Sequence, residues 1–141
     1  MKSEIKLRII GTQRDEEGEK NTIELVTEGK LYRKDGADYI TYDESEISGM
    51  ENSKTRLRLE KDRVQMKRTG QSSSDMVFCK EQNHVLDYRT PYGIFKMEIA
   101  TDSLEVEIRE EIVGSTVDIS YTLTMVDSDS STENKLKIEI I

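Results

Sequence analysis

The segment FCKEQNHVLDYRTPYGIFKMEIAT, from Phe78 to Thr101, decides the fold. On both sides of Thr90-Pro91-Tyr92-Gly93 its residues alternate with a period of two. His84, Leu86 and Tyr88 alternate with Val85, Asp87 and Arg89. Gly93, Phe95, Met97 and Ile99 alternate with Ile94, Lys96 and Glu98. Strict alternation is the pattern of half-buried strands, and a break carrying Pro and Gly between two such runs is the pattern of a hairpin. The segment also holds the single His, the single Cys and the single Pro of the chain.

The same period continues outward in both directions. Towards the N-terminus, Ser3 to Gly11 places Ile5, Leu7 and Ile9 on one face, and Thr22 to Lys34 forms a long second strand. Gly29 interrupts that strand, where a glycine marks a bulge or a sharp bend. Ala37 to Glu44 is a third strand, followed by a polar loop from Ser45 to Ser53. Lys54 to Glu60 turns Thr55, Leu57 and Leu59 inward, and Arg63 to Thr69 returns with Val64 and Met66 inward. By the same parity Arg68 points inward too. Asp75 to Lys80 leads into the central segment. Beyond it, Leu104, Val106 and Ile108 alternate, then Val117 to Met125, and finally Leu136, Ile138 and Ile140 after a polar loop from Asp127 to Glu133. About ten short strands, with turns every eight to twelve residues, predict an all-β chain. Short connections favour a meander. The expected architecture is one domain over residues 1–141, a closed or nearly closed antiparallel up-and-down β-barrel of eight to ten strands. Both termini read as strands, and pairing them removes exposed edges.

Composition bounds the function. Of 141 residues, 34% are apolar and 35% charged, with a net charge of −8. Such values alone suggest disorder, but regular placement of the apolar residues along the whole chain argues for a barrel with one buried face per strand. The acidic balance opposes nucleic-acid binding, which requires neutralised phosphates. No apolar run reaches the length of a membrane span. One cysteine forms no internal disulfide, and the first residues, MKSEIKLRII, lack the apolar core of a secretory signal, so the cytoplasm is the expected compartment. No motif demands a cofactor or a metal: one Cys and one His do not make a structural zinc site. Asp127 to Glu133 lacks the Gly and Glu of a calcium loop.

Several runs resemble the YwiB-like family, small bacterial proteins of unknown function with a calycin-type, lipocalin-like barrel. The resemblance is carried by His84-Val85-Leu86-Asp87-Tyr88-Arg89-Thr90-Pro91-Tyr92-Gly93 and the strand ending at Thr101. Tyr39-Ile40-Thr41-Tyr42-Asp43-Glu44, Met66-Lys67-Arg68-Thr69-Gly70 and Met76-Val77-Phe78 support it. These pieces occur in the family's order and together span most of the chain. The resemblance implies the barrel, a bacterial source and a cytoplasmic location. It brings no activity and no site.

The residues themselves nominate a site. His84 and Tyr88 share a strand face, and with Thr90 and Tyr92 they form the best polar cluster; the plainer reading is a histidine that ties down a strand corner. An inward Arg68 needs a buried partner, for which Glu44, Asp87 or a bound anion qualifies. From Lys54 to Arg68 seven Lys or Arg stand against Glu60 and Asp62, a strongly basic stripe on an acidic chain. The leading expectation is non-enzymatic binding of a small apolar or anionic ligand in the barrel mouth or lumen by Tyr42, Arg68, His84, Tyr88 and Tyr92, with Arg58 at the rim. The alternative is a protein-interaction module acting through the basic stripe or as a homodimer. An enzyme using His84 with a carboxylate comes third.

Overall fold

The computed structural model describes residues 2–44 and 52–141. Ten strands follow one another: β1 (Lys2–Arg14), β2 (Lys20–Lys34), β3 (Ala37–Asp43), β4 (Ser53–Leu59), β5 (Arg63–Gly70), β6 (Ser74–Cys79), β7 (Asn83–Thr90), β8 (Gly93–Glu107), β9 (Thr116–Met125) and β10 (Ser130–Ile140). They form one antiparallel sheet in the order β6-β5-β4-β3-β2-β1-β10-β9-β8-β7. Every neighbour is a sequence neighbour except β1 and β10, which pair from Leu7↔Ile140 to Arg14↔Glu133. The sheet curls into a nearly closed barrel.

Pairing of the terminal strands follows expectation, yet the seam of the barrel lies elsewhere. The free edges fall at β6 and β7, where the central segment begins. There the ring is held by few bonds. Ser73 and Arg89 exchange two backbone hydrogen bonds of 2.9 Å, and Lys80 bridges to Thr101. The imidazole of His84 reaches across the seam to the Asp75 carbonyl at 3.0 Å. That carbonyl only accepts, so Nε2 carries the proton and donates.

Alternation decides what fills the barrel. Leu7, Ile40, Leu57, Val64, Met66, Phe78, Ile99, Val117, Ile119 and Ile138 are almost wholly inaccessible to solvent. Each large one contributes roughly 1.5–3 kcal/mol by leaving water. The turns behave as their residues require: Asp35 and Gly36 both have positive φ between β2 and β3, the geometry of a two-residue hairpin turn matched to strand twist.

Three expectations need correction. Gly29 does not mark a bulge, since the β1–β2 register runs unbroken through Ile5↔Gly29. It permits a close approach instead: a Cβ there would lie 2.6 Å from the Thr41 carbonyl oxygen and 3.0 Å from Leu7. The irregularity lies elsewhere, between Thr101 and Ser103, where β8 slips against β9. That slip makes Met97–Ile99 and Leu104–Val106 one bent strand, because it moves the inward parity from odd to even numbers. The polar stretch Asp127 to Glu133 is also shorter as a loop than its composition suggests, since β10 begins at Ser130. Of the polar loop expected from Ser45 to Ser53, residues 45–51 lie outside the described residues, and Ser53 already belongs to β4.

Candidate ligand site at the barrel mouth

The register stacks polar side chains in two inward rows near one end of the barrel. On one side Gly29, Tyr42, Thr55, Arg68 and Ser74 are successive partners across β2 to β6. On the other, Asn21, Gln13, Asn134, Tyr121 and Thr101 are successive partners across β2, β1, β10, β9 and β8. Below this second row runs an apolar one, Ile23, Gly11, Leu136, Ile119 and Leu104. Gly11 sits in its middle without a side chain, and a Cβ built there would meet nothing within 4 Å. The space so left is a cavity of about 220 Å³, walled by Ile9, Ile23, Leu25 and Leu136 and bounded by Tyr42, Glu44, Arg68 and Tyr121.

The polar boundary is an organised group. Arg68 Nε stands 3.4 Å from Glu44 Oε2, with only 13% of the Arg68 side chain and 2% of the Glu44 side chain exposed. Thr55 Oγ1 donates to the same Glu44 oxygen. Backbone pairing fixes Glu44, whose N–H donates to the Ser53 carbonyl at 2.9 Å. The Tyr42 phenol is pushed well above its ordinary range, first by burial and then by the Glu44 charge; Arg68 and a hydrogen bond with Thr55 pull the other way. Burial raises the Tyr121 phenol as well, with Arg68 opposing. Tyr121 packs its ring on Phe78, centroids 4.8 Å apart. Asn134 donates its amide N–H groups to Thr132, at 3.0 Å to the carbonyl and 2.9 Å to the hydroxyl, which leaves its Oδ1 to accept.

A wider hollow of about 480 Å³ crosses β1 to β4 beside Gly29, lined by Glu4, Lys6, Glu28, Lys30, Asp43 and Lys54 among others. These charges of both signs stand in water, where each contact is weak. The interior cavity is the better site because its polar groups are already desolvated.

The structure brings together only part of the nominated set. Tyr42 and Arg68 meet at the cavity, and Glu44, one of the partners proposed for Arg68, is the partner found. Tyr88 is half-buried against the core, while His84 works at the seam between β6 and β7. Tyr92 is 92% exposed at the tip of the β7–β8 hairpin. There its backbone N–H is held by the Thr90 hydroxyl at 3.1 Å, and a turn residue is not aimed by strand alternation. Arg58 lies on the outer face of β4, paired with Glu60 at 3.1 Å and lying over the Tyr39 ring at 5.9 Å. Thr55, Tyr121, Gln13, Asn21 and Asn134 were not singled out for the site. The signal that finds them is register: once Leu7 is opposite Ile140 and Ile5 opposite Gly29, counting along the strands lines up both polar rows.

Comparisons with known proteins agree with this fold. No curated protein matches the chain. Among solved structures, the crystal structure of the ywiB protein from Bacillus subtilis superposes with a TM-score of 0.82 at 19% sequence identity, covering 99% of this chain and 93% of that one. At that identity the likeness speaks for the fold. A family model described as a domain of unknown function, DUF1934, matches residues 7–138. The match starts in β1 and ends in β10, so it takes in both polar rows and all the residues that bound the cavity, and the chain therefore belongs to the DUF1934 family.

Proposed function

We propose that this protein binds a small molecule in the mouth of its barrel, in the manner of lipocalin-like barrels and without catalysing a reaction. The observation that carries this reading is Gly11. It stands at an inward position with open space where a side chain would go, although backbone geometry makes no demand for glycine there. The cavity it leaves is bounded by a buried ion pair and two raised phenols, the mixture of apolar wall and few polar anchors that ligand sites use. An apolar cavity of about 150 Å³ accepts benzene, so about 220 Å³ suits a single ring with a polar substituent. A cytoplasmic location fits the single cysteine.

Native mass spectrometry of protein purified gently from its own source tests the proposal. The expected result is a mass above that of the chain that disappears on denaturation and is missing from Gly11→Val, whose side chain would fill the cavity. A Gly11→Val protein that retains the added mass would overturn it. The alternative, a protein partner on the basic outer face, rests on Arg56, Arg63 and Lys67, which carry no ion pair among the described residues. Salt-dependent self-association in sedimentation would favour that alternative.

A further inference from the structure

Arg68 suggests an anionic ligand, yet its charge is already met. Glu44 lies against it with almost no exposure, so the pair presents the cavity with no net charge. An anion entering there would be stripped of water and would find no excess positive charge among the buried groups, since Lys135, the other cation of the lining, is exposed to solvent; such an entry is costly. What the boundary does offer is hydrogen bonding of both senses. Among the described residues the Nε contact with Glu44 is the one side-chain hydrogen bond of Arg68, which leaves its terminal N–H groups as donors on the lining it shares with Tyr121. Asn134 Oδ1 and the Glu44 carboxylate accept. Donors and acceptors around an apolar slot match a neutral group that both accepts through a carbonyl and donates through an N–H.

Resting on the ligand-binding reading above, we infer that the site selects neutral carboxamides over carboxylates, and that Glu44 is the residue that sets this selection. The carbonyl oxygen meets Arg68, the amide N–H groups meet Asn134 and Glu44, and the ring lies along Ile9, Leu25 and Leu136. Glu44 does this work by cancelling the charge of Arg68 while Thr55 holds it in place.

Benzamide and benzoate test the inference, because they share size and shape and differ in charge. Binding of each is measured by ligand-observed NMR against the wild type, Glu44→Gln and Gly11→Val. The wild type is expected to prefer benzamide by at least about tenfold. Glu44→Gln should shift the preference towards benzoate by a similar factor, since it leaves Arg68 unneutralised. Gly11→Val should bind neither. Equal binding of the two probes by the wild type overturns the charge selection while leaving the cavity as a site. A benzamide preference that Glu44→Gln does not change removes Glu44 from the role. Binding of neither probe to the wild type removes this inference, while a retained native ligand would still uphold the binding site. The wild-type comparison stands even if Glu44→Gln fails to fold.

Discussion

Removing the Arg68 head group by Arg68→Met gives the sharpest test of the barrel's polar end. The substitution keeps an unbranched apolar stem, so the packing loss is small, but it leaves the Glu44 carboxylate, 2% exposed, with only the neutral hydroxyls of Thr55 and Tyr42 as side-chain donors among the described residues. Leaving one member of a buried pair uncompensated costs about 3–5 kcal/mol, a large share of the roughly 5–15 kcal/mol that holds a domain together. Removing both charges in Glu44→Gln with Arg68→Met takes away the isolated charge. The double variant should therefore sit within about 1–2 kcal/mol of the wild type rather than at the sum of the two single losses. Urea unfolding followed by far-ultraviolet circular dichroism measures all four proteins, with an unchanged m-value confirming that the same surface is exposed. A loss below about 1 kcal/mol for Arg68→Met would mean that water already screens the pair, and strict additivity would mean that the two residues do not act as one unit. Either result would refute the account of the cavity boundary as desolvated.

Three further outcomes follow from the same geometry. Above pH 10 unfolded tyrosines ionise while Tyr42 and Tyr121 stay neutral in the fold. The folded state then holds more protons, so stability is complete below pH 10 and falls as pH rises, by up to about 1.4 kcal/mol per pH unit for each phenol; unfolding free energies across alkaline pH should lose up to half of that slope in Tyr42→Phe, and a flat profile would contradict the burial. Gly29→Ala should destabilise by more than the usual gain from replacing a strand glycine, because its methyl would strike the Thr41 carbonyl at 2.6 Å; a thermal melt at or above that of the wild type counts against that close approach. His84→Ala should cost about 1 kcal/mol and raise amide hydrogen exchange in β6 and β7 before other strands, whereas uniform exchange would deny His84 its place at the seam.

Alternation carried most of the fold into plain view. Ile5, Leu7 and Ile9 in β1, Leu57 and Leu59 in β4, and Val117 and Ile119 in β9 point as their period demands, because a strand buried on one face tolerates no slip. Arg68 was legible for the same reason: parity put it inside, and a buried guanidinium needs a carboxylate, which left few candidates besides Glu44. What escaped was whatever depends on partner rather than period. Gln13, Asn21 and Asn134 fell just outside the expected strands, since polar side chains near a strand end look like solvent-facing ones until the neighbouring strand is aligned. The slip at Thr101–Ser103 has no glycine or proline to announce it. Tyr92 was drawn in by its neighbours in sequence, and Arg58 by its charge, though its own parity points out of the barrel.

The pairing of β1 with β10 has a consequence for how the chain reaches this structure. Every other ladder joins consecutive strands and can zip up within a short loop, but Leu7 cannot find Ile140 until β10 has been made. During synthesis β1 and β2 therefore form a hairpin with the outer edge of β1 unpaired and the Ile5–Leu7–Ile9 face uncovered. Long-range strand pairing is slow because the loop entropy must be met before any contact is gained. The last step of folding is thus the docking of the first strand against the last, and the sticky intermediate before it is the state a chaperone would meet.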